Sequence, residues 1–143
     1  MDHKYDSLKL ENQLCFPLYA ASREIIKQYK PFLDEIDLTY TQYIAMMVLW
    51  EHKSVTVKEM GTLLYLDSGT LTPLLKKMEA KGLVTRQRSE KDERSLNVTI
   101  TEKGEALKDQ ALSVPMRMAA CTHIDQSDAM TLYRILYKII GMS

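Results

Sequence analysis

The chain reads as mainly α-helical with a small β wing: a winged helix-turn-helix region carrying further helices at its N- and C-terminal ends. Three observations lead there. Two short amphipathic helix patterns, joined by a tight connection, lie between Thr56 and Gly82. Two alternating strand patterns follow, with a charged tip between them. Long apolar-striped helices precede and follow this unit, and they carry more apolar surface than so small a unit can cover.

Thr56-Val57-Lys58-Glu59 has the form of a capping box, in which a threonine and a glutamate three residues on satisfy orphan amides reciprocally. It predicts a short helix with Val57, Met60, Leu63 and Leu64 on one side. Tyr65-Leu66-Asp67 is a connection, and Asp67 or Ser68 caps a second helix. There Leu71, Leu74, Leu75 and Met78 recur at the spacing of a buried stripe. Gly82 stands where a left-handed residue ends a helix. Residues 83–88 and 95–100 alternate as half-buried strands do, and Ser89-Glu90-Lys91-Asp92-Glu93-Arg94 between them has no apolar anchor. A hairpin with such a tip directly after a helix-turn-helix is a wing.

The side of the second helix away from its apolar stripe carries Ser68, Thr70, Thr72, Lys76 and Lys77. Small hydroxyls near a helix start can approach base edges and phosphates, and the free amides there favour anions. An isolated helix of this kind is more often just solvated. Here the wing and the local charge agree with it: residues 76–94 hold seven basic side chains (76, 77, 81, 86, 88, 91, 94) against four acidic ones (79, 90, 92, 93). Double-stranded DNA is the expected partner, with Arg86 among the basic contacts.

Composition narrows the class. At 143 residues, 45% hydrophobic and 27% charged, the chain suits one folded unit with attached helices. A formal net charge of zero speaks against a histone-like binder, though not against a sequence-specific one. The first residues, MDHKYDSLKLENQ, do not form a signal peptide, and no apolar run approaches the roughly 18 residues of a membrane span. The expectation is a cytoplasmic protein with no membrane partner. His3, His52 and His123 lack metal-ligand spacing, and no cofactor motif or nucleophile elbow occurs, so neither metal nor cofactor is expected. Two cysteines, Cys15 and Cys121, are buried fillers or redox chemistry.

From Ser7 to about Tyr29 the pattern is a long helix, with Leu10, Leu14, Leu18, Ala21 and Ile25 on one face and Cys15, Tyr19, Ile26 and Tyr29 on an adjoining one. Pro17 lies inside it, so the helix bends there or its regular part starts later. Residues 31–37 read as a connector. Thr39 and Gln42 offer a capping box for a helix through Trp50 that is apolar nearly all round (Tyr43, Ile44, Met46, Met47, Val48, Leu49), the expected core. Ser54-Val55 can add a strand to the wing. Thr101 caps a helix running toward Cys121, with Pro115 a kink or an interruption. Asp125 or Ser127 caps the last helix, with Met130, Leu132, Tyr133, Leu136, Tyr137, Ile139 and Ile140 on a broad apolar face. The surplus predicts a homodimer joined through residues 7–30 and 101–143, around a DNA-binding region of 39–100. Such a dimer would read a pseudo-palindrome.

This arrangement resembles the MarR family, and Asp92 to Arg94 is similar to that family's D-x-R wing motif. LENQLCFPLYAASRE (10–24), Tyr29, LTYTQY (38–43), LWE (49–51) and LYLDSGTLTPLLKKMEAKGLVTRQRSEKDERS (64–95) resemble the branch of organic hydroperoxide resistance regulators. The likeness is strong over the first two-thirds of the chain and architectural beyond. It implies that Cys15 is the peroxide-reactive thiol, that partner tyrosines matching Tyr29 and Tyr40 hydrogen-bond around it, and that Tyr19 lies near. It implies too that Arg94 enters the minor groove, held by Asp92. One turn from Cys15 there is no lysine, arginine or histidine, so stabilisation of a thiolate falls to phenols. Members with a second cysteine after the wing resolve the sulfenic acid as an intersubunit disulfide; Cys121 takes that role or is a passive buried residue. In one-cysteine members a low-molecular-weight thiol caps the sulfur.

The expectation is therefore a non-enzymatic repressor that holds operator DNA while Cys15 is reduced and leaves it on oxidation by an organic hydroperoxide. The alternatives are a MarR-like repressor released by a non-covalent phenolic or drug-like ligand, a thiol peroxidase, and a winged helix used for protein contacts alone.

Overall fold

A computed structural model describes residues 3–91 and 95–141. Two 3-10 turns, Asp6–Leu8 and Leu10–Asn12, lead into α1 (Cys15–Asp34). The helix starts at Cys15, later than the apolar pattern from Ser7 suggests. Pro17 is its third residue, where a missing N–H costs no helical bond. It also runs past Pro31 to Asp34, so residues 31–34, expected as a connector, are its last turn.

Thr39 closes the expected capping box with Gln42 and starts α2 (Tyr40–His52). This helix is the centre of the core: Tyr43, Ala45, Met46, Val48, Leu49 and Trp50 are buried. Met47, counted with them from the sequence, points outward. β1 (Ser54–Thr56) follows, and Thr56 forms its capping box with Glu59 at the head of α3 (Val57–Leu64). Of the four apolar residues expected on one side of α3, only Met60 is buried; Leu63 is exposed. Tyr65, in the left-handed region at φ 57°, turns the chain into α4 (Ser68–Ala80), which Asp67 caps. Leu71, Leu74, Leu75 and Met78 are all buried, as their spacing requires. Gly82 has φ 78°, a conformation that side chains resist, and it releases the chain into β2 (Val84–Arg88).

β2 and β3 (Leu96–Ile100) form the wing hairpin, and β1 adds to the other edge of β3 in an antiparallel sheet of order β1-β3-β2. Val55 pairs with Val98, and Val84 with Ile100. Alternation buries Val84 and Val98 against the helices and sends Thr85 and Thr99 outward.

Thr101 caps α5 (Glu102–Ala111), which ends three residues before α6 (Val114–Cys121) begins. Pro115, at the second position of α6, marks an interruption of the single helix expected here. α5 approaches the sheet at Gly104, where a Cβ would stand 2.5 Å from the Leu83 carbonyl oxygen. Trp50 Nε1 donates to the Gly104 carbonyl at 2.9 Å, tying α2 to α5 inside the core. Asp125 caps α7 (Gln126–Ile140), none of whose residues is buried.

Candidate nucleic-acid interface and thiol site

The start of α4 is set by its cap. Asp67 accepts from the Thr70 amide at 2.7 Å, and that bond, with one from the Thr70 hydroxyl, holds the Asp67 carboxyl below the usual carboxylate range. Thr72 donates its hydroxyl to the Ser68 carbonyl at 2.8 Å. Two of the three hydroxyls expected to face a partner are therefore engaged locally as donors, leaving lone pairs and methyl groups for an incoming surface. Ser68, Thr70, Thr72, Lys76 and Lys77 are all exposed. With the buried stripe of α4 turned inward, Lys76 falls nearly opposite it and Lys77 to one side.

Arg86 behaves differently. Its side chain is only 18% exposed, and Nη2 donates to Glu79 Oε1 of α4 at 3.1 Å. That hydrogen bond holds the Glu79 carboxyl below its ordinary range. Arg86 Nε is buried and has no partner among the described residues. The guanidinium thus links strand β2 to α4, at the edge of a cleft shared with Ser68, Thr72 and Ser95. Asp92 and Arg94, expected at the wing tip, lie outside the described residues. The hairpin just below them is closed by the Ser89 amide donating to the Ser95 carbonyl at 2.7 Å.

Cys15 is the first residue of α1 and is exposed. The amides of that first turn have no intrahelical acceptors and favour negative charge nearby. A helix beginning at Ser7 would have placed Cys15 in its interior, without this source of anion stabilisation. Around Cys15 the surface is apolar: Leu14 is 86% exposed, with Phe16 and Leu18 above 40%. Cys121, last residue of α6, is exposed in the protomer as well.

Tyr29 and Tyr40 lie together, ring centroids 5.0 Å apart, on Tyr43 and through it on Trp50. Burial pushes the Tyr29 phenol up, with Tyr40 adding to the shift, and burial does the same to Tyr40. Both are hydrogen-bond donors at neutral pH. Neither can reach Cys15 of its own chain, because fourteen helical residues separate Cys15 from Tyr29, roughly 21 Å along one axis. The same reasoning applies to Cys121. Arg117 of α6 is ion-paired with Glu35 and lies 4.2 Å over the Phe32 ring, so α6 packs at the C-terminal end of α1. Glu35 is roughly 30 Å from Cys15, and one further turn of α6 cannot bring two α-carbons within the ~7 Å of a disulfide.

Two features escaped the sequence. Tyr43 joins the phenol cluster, although its apolar surroundings mark it as core. Arg23 donates to the Tyr19 hydroxyl oxygen at 3.0 Å, supplying a cation two turns from Cys15, whereas the residues one turn away include none. The four-residue spacing of Tyr19 and Arg23 was the available signal.

Comparison with known proteins agrees with this geometry. Residues 27–111 match the model of the transcriptional regulator SarA/Rot family. The chain is 53% identical to the organic hydroperoxide resistance transcriptional regulator of Bacillus subtilis, over 98% of its own length and 95% of that protein. It is 32% identical to reduced AbfR bound to DNA, covering 99% of both chains with a TM-score of 0.77. AbfR of Staphylococcus epidermidis is also known overoxidised and bound to DNA (TM-score 0.77, 32% identity, 97% of this chain and 98% of that one). Its disulfide form gives a TM-score of 0.66 at 34% identity over 96% of each chain. A cysteine at the head of the first helix, a winged helix-turn-helix and near-complete likeness to such a regulator converge: the chain belongs to the organic hydroperoxide resistance branch of the MarR-type winged-helix transcriptional regulators.

Proposed function

We propose that the protein is a cytoplasmic, homodimeric repressor, not an enzyme, that binds a pseudo-palindromic operator while Cys15 is reduced and leaves it when an organic hydroperoxide oxidises that sulfur. Residues 7–30 and 101–143 join the protomers, and 39–100 form the DNA-binding region. The observation that carries the reading is Cys15 itself, exposed at the head of α1 amid apolar side chains that its own protomer leaves uncovered. A second protomer seated there brings the partner's Tyr29 and the partner's Tyr40 to the thiol, which the length of α1 denies to those of the same chain.

On DNA, α4 enters the major groove with Ser68, Thr70 and Thr72 toward base edges and Lys76 and Lys77 toward phosphates. Arg86 braces the wing against α4 through Glu79, and Arg94, steadied by Asp92, reaches the minor groove. Peroxide converts Cys15 to the sulfenic acid. The partner's Cys121, or a low-molecular-weight thiol, then captures it as a disulfide with loss of water. That the overoxidised form of AbfR is found on DNA supports the disulfide, rather than added oxygen, as the releasing event. A bond across the interface redraws the spacing of the two recognition helices. A hundredfold loss of affinity requires about 2.7 kcal/mol of coupling, within the usual range.

The test is binding of the protein to its own promoter DNA, followed by fluorescence anisotropy with and without cumene hydroperoxide. The wild-type complex dissociates and the Cys15→Ser complex persists. Release of Cys15→Ser by peroxide rules out thiol sensing, and release by phenolic ligands alone favours a non-covalent effector.

A further inference from the structure

On the face of α1 that begins at Cys15 lies a polar contact that the sensing scheme does not use. Arg23 Nη1 donates to the Tyr19 hydroxyl oxygen at 3.0 Å, and the guanidinium carbon stands 5.6 Å from the centroid of the same ring. Cys15, Tyr19 and Arg23 follow one another at intervals of four along α1. That spacing stacks side chains on one face, each leaning toward the helix N-terminus over the preceding turn. The contact from Arg23 to Tyr19 runs in that direction. The same lean carries the Tyr19 ring toward the turn that bears Cys15.

Donor and acceptor roles then assign a proton. A guanidinium has no acceptor, so the phenolic oxygen accepts and the Tyr19 O–H is left to donate elsewhere. Among the described residues it meets no acceptor. A bond accepted from a cation strengthens the donor on the other side of the same oxygen.

We propose that Arg23 and Tyr19 act as a pair that protonates the oxygen leaving the hydroperoxide, Tyr19 as the donor and Arg23 as the positioning residue. This rests on the peroxide-sensing reading above. The Cys15 thiolate, its proton already given to solvent, attacks the terminal oxygen of ROOH. A sulfur–oxygen bond forms, the oxygen–oxygen bond breaks, and its electron pair departs on the alkoxide. Sulfur is oxidised by two electrons to the sulfenic acid, and the peroxide is reduced to the alcohol. The alkoxide takes the Tyr19 proton, because a phenol is a far stronger acid than an aliphatic alcohol. The tyrosinate is held beside Arg23 until water restores its proton. Without such a pair the proton would come from water, which an apolar interface makes scarce at the leaving oxygen.

The need for this proton depends on the basicity of the leaving oxygen. An alkoxide requires it; the carboxylate that leaves a peracid does not. The experiment follows sulfenic acid formation in Cys121→Ser protein by stopped flow at one pH, with tert-butyl hydroperoxide and with peracetic acid. It compares Arg23→Ala, Arg23→Lys, Tyr19→Phe and the Arg23→Ala/Tyr19→Phe double variant. Arg23→Ala and Tyr19→Phe are expected to slow the alkyl hydroperoxide about tenfold and the peracid by less than about twofold, a modest value for general-acid assistance since some water can substitute. The double variant should be no slower than Tyr19→Phe, and Arg23→Lys, which still donates to the phenol, should regain most of the rate. Equal slowing with both oxidants, or none with the alkyl hydroperoxide, overturns the proposal. Tyr19→Phe keeps the ring and so decides the matter even if Arg23→Ala disturbs assembly. Failure of either oxidant to reach Cys15 in the parent protein instead takes down the sensing reading, and this inference with it.

Discussion

Replacing Lys76 of α4 by alanine removes a cation that stands nearly opposite the buried stripe of that helix, with no ion-pair partner among the described residues. In a two-fold dimer the change occurs twice, so two phosphate partners are lost. Each contributes about 0.9 to the slope of log K against log salt, and the slope should fall by about 1.8. Between about 50 and 200 mM salt, the parent affinity should therefore drop about twelvefold more than that of the variant. Arg86→Ala provides the contrast. Its guanidinium is turned toward Glu79, so that variant should weaken binding with little change in slope. Anisotropy titrations of promoter DNA at four or five salt concentrations measure both slopes. An unchanged slope for Lys76→Ala, or a loss near 1.8 for Arg86→Ala, would refute the assignment of α4 to the groove and of Arg86 to the brace.

Other consequences follow from single contacts. In a non-reducing gel, peroxide-treated wild type should run as a covalent dimer, and Cys15→Ser and Cys121→Ser as monomers; an intrachain-bridged monomer in the wild type would contradict the separation imposed by α1. Trp50→Phe removes the second of two donors to the Gly104 carbonyl, which keeps its helical bond within α5, at a cost of about 1 kcal/mol. Thermal unfolding should show a midpoint several degrees lower, and an unshifted melt would mean that the bond contributes nothing. The Tyr29 and Tyr40 phenols are raised by burial, so the neutral forms belong to the fold. Their contribution to stability should be level through neutral pH and fall above about pH 10, where unfolded tyrosine ionises and the buried pair resists. Denaturant titrations should show that alkaline decline reduced in Tyr40→Phe; the same decline in both proteins would place its origin elsewhere.

The winged unit was legible because each of its elements carries its own local signature. Two capping boxes, the stripe of Leu71, Leu74, Leu75 and Met78, and Gly82 at positive φ are all short-range chemistry, and each lies where its pattern puts it. The termini were harder because periodicity reports that a face is apolar, not where a helix begins. Leu10 and Leu14 extend the stripe of α1 backward, yet the chain before Cys15 is held instead in 3-10 turns by Gln13 donating to the Ser7 and Lys9 carbonyls. Pro31 misled in the opposite direction. A proline in the last turn loses one bond, and the packing of Phe32 and Leu33 on the core holds the helix past it. At the site, Cys15 and the phenols could be singled out by resemblance, but the Glu79–Arg86 link joins side chains from different elements, and only a folded chain displays it.

A helix that bears the sulfur at its head and a phenol fourteen residues further on cannot bring the two together by itself. Under the proposed arrangement, each sensing centre is composite, built from the front of one α1 and the flank of another, and a symmetric pair contains two. A newly made chain is then blind to peroxide until it meets its twin, so competence to repress and competence to be switched off arrive in the same encounter.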